Sequence, residues 1–171
     1  MKITGGTLRG RVVPGMVPKG VRPTSSRVRE AMFSMIGQDL DGTTVLDGFA
    51  GSGLLTFEAV SRGATVTTVE RNRGVVRQLR ERAAALGVTL DLRTGDARDT
   101  LSSGSWDIVI LDPPYADDPV DWVSAGASAT DSMLVIEHSA GAVMPATVGN
   151  LVLDRSRRYG DSTLTIYRRG A

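Results

Sequence analysis

Residues 45–60 read VLDGFAGSGLLTFEAV: a short apolar run, a glycine-rich turn and a helix-forming segment. This order predicts a buried strand that passes through a tight turn into a helix. In an open α/β sheet, ligands bind at the carboxyl ends of the strands, and glycines there let the backbone approach a ligand closely. The dinucleotide fingerprint is incomplete because Thr56 stands where a third small residue is expected, and Asp47 would repel a pyrophosphate. The stretch therefore predicts a site for a ligand without a pyrophosphate, with a purely structural turn as the alternative.

Short apolar strands and helices alternate on both sides of this stretch. The predicted strands cover residues 43–46, 64–69, 88–93, 106–111, 133–137, 151–155 and 164–167, and the predicted helices cover residues 27–38, 52–61, 74–86 and 118–127. Residues 106–111 are markedly apolar, which is typical of a strand buried on both faces of a parallel sheet. We therefore predict an α/β fold with an open, mostly parallel sheet of about seven strands, the last one antiparallel.

The N-terminal segment differs from the rest in charge. Seven of the 20 basic residues lie before position 30, and all 19 acidic residues follow Arg29. We expect a short β-hairpin and a Pro/Gly-rich linker over residues 1–25, followed by the main domain over residues 26–171. A basic arm on an otherwise acidic chain predicts contact with a polyanion, although a solvated arginine-rich tail is the simpler alternative.

Composition excludes several classes of protein. The chain has no cysteine and one histidine, so disulfides and thiolate metal sites are excluded and we expect no bound metal. We see no apolar run near the roughly 18 residues of a membrane span and no secretory signal. These features favour a cytoplasmic protein.

Acidic residues follow three successive predicted strands: Asp47, Glu70 and Asp96. A carboxylate at the position of Glu70 can accept hydrogen bonds from both hydroxyls of a ribose. Asp96 could accept a hydrogen bond from an adenine amine. Singly each is more typical of a surface charge, but together they predict a nucleoside-binding edge.

The segment that best indicates chemistry directly follows the buried strand 106–111 and consists of Asp112, Pro113, Pro114 and Tyr115. The prolines restrict the backbone and remove two N–H groups, so the loop is rigid. An aromatic amine attacks a methyl group only if its protons are held so that its nitrogen can pyramidalise. The Asp112 carboxylate and the Pro113 carbonyl can accept those two protons in hydrogen bonds, while Tyr115 stacks on a base taken out of its helix. The segment predicts methylation of an exocyclic base amine by a sulfonium donor, mainly through positioning and electrostatics.

These motifs together resemble the class I methyltransferase superfamily, and the Asp-Pro-Pro-Tyr segment resembles its amino-methylating branch. Within that branch, the sequences GGTLRGR (5–11), RPTSSRVRE (22–30) and YGDSTLTIY (159–167) resemble the RsmD family of bacterial 16S ribosomal RNA guanine-N2 methyltransferases. The chain departs from the family at Ser26, where Asp is usual, so a carboxylate role is lost there. Thr24, Ser25 or Ser26 can still cap the following helix.

The resemblance implies a Rossmann-like enzyme that transfers a methyl group from S-adenosylmethionine to a guanine N2 amine of 16S ribosomal RNA. It implies a cofactor cleft formed by Asp47, Phe49, Ala50, Gly51, Gly53, Glu70, Asp96, Ala97 and Asp112. It places the guanine at the catalytic residues Asp112, Pro113, Pro114 and Tyr115. It assigns RNA contact to the N-terminal hairpin, and the residues that we select for this contact are Arg9, Arg11, Arg22, Arg27 and Tyr115.

Two other functions stay open at this point. One is a non-catalytic RNA-binding or ribosome-assembly protein on a methyltransferase scaffold, and the other is an adenine-N6 methyltransferase of DNA or RNA. The residues after Tyr115 are needed to complete the sheet, which leaves no room for a separate sequence-reading domain and favours recognition of folded RNA by shape. We expect a monomer that acts on the small ribosomal subunit or an assembly intermediate.

For three further features we expect a structural rather than a functional role. We expect His138 to be satisfied or exposed rather than a general base, and Trp106 to lie in the core. A solvated helix face explains Arg73, Arg77 and Arg80 better than an RNA contact does. No role follows for Trp122.

Overall fold

The computed structural model describes residues 1–15 and 24–171. Its helices are α1 (Ser26–Ile36), α2 (Leu54–Ser61), α3 (Arg73–Leu86), α4 (Ala97–Leu101) and α5 (Pro119–Ala127). Its strands are β1 (Thr44–Asp47), β2 (Thr65–Glu70), β3 (Asp91–Thr94), β4 (Trp106–Leu111), β5 (Thr130–Ser139), β6 (Thr147–Val148), β7 (Leu151–Tyr159) and β8 (Ser162–Arg169). The predicted alternation is confirmed, but α4 and β6 were not predicted, and β3 begins at Asp91 rather than at residue 88.

All eight strands form one sheet in the order β3-β2-β1-β4-β5-β8-β7-β6. The strands β1 to β5 run parallel, whereas β8 is antiparallel to both β5 and β7. The predicted open, mostly parallel α/β sheet is confirmed, with β6 as an additional strand. Strand order reverses between β1 and β4, and such a reversal opens a crevice at the carboxyl ends of the strands.

Helices cover both faces of the sheet. On one face, α1 and α2 contribute Phe33 and Leu55 to a cluster with Ile110 of β4 and Ile166 of β8. On the other face, α4 and α5 pack against a second cluster, which contains Trp106. Trp106 is buried as predicted, and its indole N–H donates to Thr67 Oγ1 at 3.0 Å.

The N-terminal segment packs tightly on α2 and α3. Ile3 and Val13 are each only 1% exposed and join a third cluster with Phe57 and Leu79. Its two sides pair in the antiparallel sense expected of a hairpin, through a bridge between Lys2 and Val12 and through backbone hydrogen bonds on either side of that bridge. Backbone pairing between its two sides and packing against the helices together hold this segment in place.

Buried ion pairs reinforce that attachment. Glu58 of α2 is fully buried and accepts hydrogen bonds from Arg29 Nε at 3.0 Å, from the Thr4 backbone N–H at 2.9 Å and from Arg62 Nη1. Arg82 of α3 is also buried and donates to the carbonyls of Pro14 and Ser52, at 2.8 and 2.6 Å. These contacts join the first fifteen residues to the helices behind the glycine-rich turn.

Capping explains where the helices begin. The Ser25 hydroxyl accepts a hydrogen bond from the Val28 N–H at 3.2 Å, so one of the three predicted caps starts α1. α2 begins at Leu54 rather than at residue 52 because Gly51 and Gly53 both have positive φ, +50° and +81°, which keeps the turn out of helical geometry. Within the part of the chain described, no helix combines the length and apolarity needed to cross a bilayer.

Candidate active site

A cavity of about 550 Å³ opens where the parallel strands end. Nine of the predicted site residues line it: Phe49, Gly51, Glu70, Asp96, Ala97, Asp112, Pro113, Pro114 and Tyr115. They come from the turns that follow β1, β2, β3 and β4, whose carboxyl ends meet at one edge of the sheet. The glycine-rich turn and the Asp-Pro-Pro-Tyr loop therefore belong to one cavity, which direct methyl transfer between their ligands requires.

Glu70 ties two of these turns together. Its Oε2 accepts a hydrogen bond from the Gly51 N–H at 3.1 Å, and its Oε1 accepts one from the Asn72 N–H at 2.8 Å. A carboxylate has about four acceptor positions, so both oxygens can accept further hydrogen bonds from a ligand. Glu70 thus shapes the turn after β1 and presents acceptors to the cavity.

Asp96 starts α4, and the preceding Gly95 connects this turn to the end of β2. Asp96 is the N-cap of α4, where its Oδ1 accepts from the Arg98 N–H at 2.8 Å. The preceding Gly95 N–H donates to the Glu70 carbonyl at 3.1 Å, which brings the turns after β2 and β3 together. The helix α4 was not predicted, although Asp96 could have indicated its start, because Asp is a preferred N-cap residue.

Three predicted cofactor residues build the turn without lining the cavity: Asp47, Ala50 and Gly53. Ala50 is buried, and its N–H donates to the Val69 carbonyl at 3.0 Å. A Cβ on Gly53 would lie 2.5 Å from Leu79 Cδ2, so the absence of a side chain there serves packing against α3.

Asp47 lies beneath the turn, only 2% exposed. Its carboxylate accepts hydrogen bonds from the Thr56 hydroxyl at 2.7 Å and from the Phe49 N–H at 3.2 Å. Burial raises the pKa of Asp47 from 3.8 to about 6, despite these hydrogen bonds, and the nearby charge of Glu70 adds to the increase. Asp47 therefore stabilises the conformation of the turn through hydrogen bonds on its buried side.

Aromatic rings form one wall of the cavity. Phe49 and Trp122 meet edge to face, with ring centroids 4.7 Å apart and an interplanar angle of 82°. The Arg98 guanidinium lies 3.9 Å from the centroid of the Trp122 ring, and the Trp122 indole N–H donates to Asp117 Oδ2 at 2.9 Å. Sequence reasoning left Trp122 without a role, because no local motif marks the face of α5 that reaches the cavity.

The Asp-Pro-Pro-Tyr loop is held at several points. The Thr24 hydroxyl donates to Asp112 Oδ2 at 3.4 Å, and the Asp117 N–H donates to the Pro114 carbonyl at 2.9 Å. These bonds connect the loop to the residues just before α1 and close the turn that leads to α5.

The tyrosine of this loop is anchored on the antiparallel strands. The Tyr115 hydroxyl is hydrogen-bonded to Ser162 Oγ at the start of β8, and Ser162 Oγ donates to Glu137 Oε1 at 2.8 Å. Tyr115 keeps 38% of its surface exposed, whereas Glu137 is buried against the cavity. Glu137 and Ser162 were not predicted, since they come from strands distant in sequence that meet only in the folded sheet.

The residues predicted to contact RNA differ in exposure and in their contacts. Arg9 is exposed, whereas the Arg11 guanidinium donates to the carbonyls of Leu86 and Ala85, at 3.0 and 3.1 Å, and so caps the end of α3. Arg27 is exposed at the start of α1, and Arg22 lies outside the described residues. Part of the basic arm is therefore used structurally.

His138 takes no part in the cavity. It is buried, its Nδ1–H donates to the Ser139 carbonyl at 2.9 Å, and its Nε2 lies 2.7 Å from Thr165 Oγ1. Burial lowers the pKa of the imidazole, which favours the neutral form. The prediction of a satisfied histidine is confirmed.

Comparison with known proteins agrees with this geometry. The family model described as Conserved hypothetical protein 95 matches residues 1–168. Ribosomal RNA small subunit methyltransferase D of Escherichia coli K12 is 31% identical over 186 residues, covering 100% of this chain and 91% of that protein. The solved structure of yhhF from Escherichia coli matches with a TM-score of 0.86 at 32% identity, over 100% of this chain and 98% of that chain.

A more distant structure shares the fold alone. The magnesium protoporphyrin IX methyltransferase of Synechocystis PCC 6803, solved with bound SAM, has a TM-score of 0.65 at 18% identity, covering 84% of this chain and 79% of that chain. The family match, by contrast, spans every turn that builds the cavity. The chain belongs to the RsmD family of methyltransferases, whose family model is described as Conserved hypothetical protein 95.

Proposed function

We propose that this protein transfers a methyl group from S-adenosylmethionine to the exocyclic N2 amine of a specific guanine in small-subunit ribosomal RNA. The observation that carries the proposal is the shared cavity, which joins a nucleoside-type pocket to the Asp-Pro-Pro-Tyr loop. The name of the Escherichia coli relative, a ribosomal RNA small subunit methyltransferase, supports the substrate class. The SAM bound in a structure of the same fold supports the cofactor.

The side chains around the glycine-rich turn fit S-adenosylmethionine. Glu70 offers carboxylate oxygens to the two ribose hydroxyls, and Asp96 offers one to the adenine amine. Phe49 and Trp122 provide an apolar, aromatic wall for the adenine ring. When bound, the cofactor supplies an electrophilic methyl group on a positively charged sulfonium, for which the acidic lining is electrostatically suited.

The neighbouring loop fits the nucleophile. The carboxylate of Asp112 and the carbonyl of Pro113 accept hydrogen bonds from the two amine protons, so that the nitrogen lone pair is directed at the methyl carbon. Because the prolines restrict the loop and the Asp117 N–H closes it, these acceptors need little reorganisation during the reaction. Holding the nitrogen in line with the methyl group supplies most of the remaining rate acceleration.

Tyr115 is suited to hold the base. Its hydroxyl is fixed by Ser162 while the side chain remains partly exposed at the cavity, as a stacking platform for a nucleotide that has left its helix requires. Unpairing costs a few kcal/mol, and it costs least where the base is already single-stranded. A folded RNA that presents such a guanine can therefore be selected by shape.

Methyl transfer from labelled S-adenosylmethionine tests the proposal, with purified 16S ribosomal RNA and assembled small subunits as separate substrates. Mapping the labelled nucleotide is expected to identify a guanine N2. Asp112→Ala is expected to lower the transfer rate by at least about 100-fold even when S-adenosylmethionine is saturating. Asp121→Ala, which removes an exposed acid on α5, serves as the matched control and should retain activity.

Each alternative has its own outcome in this experiment. Label on an adenine would indicate the adenine-N6 activity, and RNA binding without transfer would indicate a non-catalytic assembly protein. Full activity of Asp112→Ala would refute the role assigned to the loop.

A further inference from the structure

An exposed row of arginines lies on the antiparallel side of the sheet. β7 carries Arg155 and Arg157, which are exposed and stand opposite Ile166 and Leu164 of β8. Opposed residues of an antiparallel pair point to the same face, and Ile166 and Leu164 belong to the cluster that packs against α1. The two arginines therefore lie on the α1 face of the sheet, where Arg27 is also located.

This row leads to the candidate active site. Tyr159 lies two residues beyond Arg157 on the same face, and the Arg27 guanidinium lies 5.9 Å from the centroid of the Tyr159 ring. Tyr159 is paired in register with Ser162, the residue that anchors the Tyr115 hydroxyl. At roughly 3.4 Å per residue, Arg155 and Arg157 lie about 7 to 14 Å along the strand from this point.

The start of α1 makes a second connection. Thr24, three residues before Arg27, donates to the Asp112 carboxylate. Arg27 is thus connected to the Asp-Pro-Pro-Tyr loop through Thr24 and through Tyr159. We call Arg27, Arg155 and Arg157 the β7 arginine surface.

The arginines of this surface differ from the neighbouring arginines of β8 in their ion pairing. Arg168 and Arg169 of β8 form ion pairs with Asp154 and Asp131, at 3.1 and 3.7 Å. Among residues 1–15 and 24–171, no acidic side chain forms an ion pair with Arg155 or Arg157. A guanidinium is planar and binds phosphate oxygens through two parallel N–H groups, so this surface is chemically suited to a phosphodiester backbone.

The backbone of β7 is also open. β6 pairs with β7 only at Leu151 and Val152, so residues 155–159 form a sheet edge within the described part of the chain. Charged residues on such an edge can simply prevent aggregation, which is the structural alternative. The approach of the row to Tyr115 is not required by edge protection, and it favours a substrate contact.

We propose that the β7 arginine surface binds the phosphates of the RNA segment flanking the target base. This inference rests on the proposed function and specifies how its substrate is held. It moves part of the expected RNA contact away from the N-terminal arm, where Arg11 caps α3 and Arg29 is buried against Glu58. RNA lying along β7 would reach Tyr115 directly.

The test compares two double variants that lose the same charge. Arg155→Gln with Arg157→Gln removes two of the three arginines of the surface, whereas Arg77→Gln with Arg80→Gln removes two exposed arginines from α3. α3 contacts β2 and β3, at the opposite end of the sheet from β7. Affinity for 16S ribosomal RNA is measured by fluorescence anisotropy between 50 and 200 mM salt, together with S-adenosylmethionine affinity as a check on folding.

Each phosphate contact contributes roughly 0.7 to 0.9 to the slope of log affinity against log salt. The β7 variant should therefore lose about 1.4 to 1.8 of this slope and bind about 25 to 60 times more weakly at 0.1 M salt, relative to equal affinity at 1 M. The α3 variant should bind as the unmodified protein does. Arg155→Lys with Arg157→Lys keeps the charge and should restore most of the slope.

Under saturating RNA, the methyl-transfer rate of the β7 variant should recover, since the arginines bind the substrate without touching the reacting atoms. An unchanged slope in the β7 variant, or an equal loss in the α3 variant, would overturn this inference even if the unmodified protein methylates RNA. If the unmodified protein transfers no methyl group to any RNA, the proposed function fails instead.

Discussion

Asp47→Asn removes a carboxyl group that is buried at the end of β1, beneath the glycine-rich turn. The substitution preserves the size of the side chain and keeps one oxygen to accept the Phe49 N–H. In the unmodified protein the Thr56 hydroxyl donates to Asp47 and lies 3.3 Å from Thr68 Oγ1. In the variant this hydroxyl can donate to Thr68 instead and accept a hydrogen bond from the new amide. The turn should therefore retain its conformation.

The main effect of this change is on the pH dependence of stability. Burial raises the pKa of Asp47 to about 6 from 3.8, so the folded protein holds this proton more tightly than the unfolded chain does. The contribution of Asp47 to folding is consequently most favourable below pH 3.8 and is lost progressively until the pH passes about 6. The full loss is about 3 kcal/mol, of which about 2 kcal/mol falls between pH 4.5 and 7.5.

Asn does not titrate, so the variant escapes this loss. We expect its free energy of unfolding, relative to the unmodified protein, to rise by about 2 kcal/mol from pH 4.5 to pH 7.5. Urea denaturation of both proteins at several pH values measures the difference, and titrations of groups distant from Asp47 cancel in the comparison. A difference independent of pH would refute the reasoning, whatever its absolute size. A difference that falls with pH would show that the carboxylate is stabilised in the folded state.

The attachment of the N-terminal segment gives two further predictions, both measured by urea denaturation. Glu58→Ala leaves Arg29 and Arg62 buried without their carboxylate and should lower the free energy of unfolding by about 3 to 5 kcal/mol. As a control, Asp154→Ala breaks an exposed ion pair with Arg168 and should lower it by about 1 kcal/mol or less. Similar losses of stability in the two variants would contradict the structural role of Glu58. Gly6 and Gly10 have similar positive φ values, +74° and +83°, but only at Gly6 would a Cβ fall on the Ser61 carbonyl. Gly10→Ala should therefore lower the free energy of unfolding by about 1 to 2 kcal/mol, because alanine is strained in a left-handed backbone conformation. Gly6→Ala should lower it clearly more. Equal losses of stability would rule out the close approach of Gly6 to α2.

The location of the site followed from the sequence because its signals are local. Glu70, Asp96 and Asp112 each come directly after a strand, or within two residues of its end. Parallel strands bring their carboxyl ends to one edge, so residues in these positions must gather whatever the packing of the helices. The Asp-Pro-Pro-Tyr loop was recognisable for the same reason, since its rigidity comes from its own prolines.

The function of individual side chains inside these turns was less accessible. Asp47 and Gly53 belong to the same motif as Gly51, yet they support the turn while Gly51 lines the cavity. Whether a residue in a tight turn faces the ligand or the core depends on the φ and ψ values of its neighbours. A pattern of residue types does not contain those angles.

The sequence by itself determined the alternation of strands and helices, the order of the turns and the identity of the acidic and proline residues at the ends of β1 to β4. These depend on hydrophobic periodicity and local backbone preferences, which act over a few residues. Only the tertiary structure decided that Arg11 and Arg29 serve the fold, that Trp122 completes the aromatic wall and that Tyr115 is anchored by Ser162 and Glu137. These contacts join elements far apart in the chain, and they arise from the way helices and strands pack against each other rather than from any local pattern.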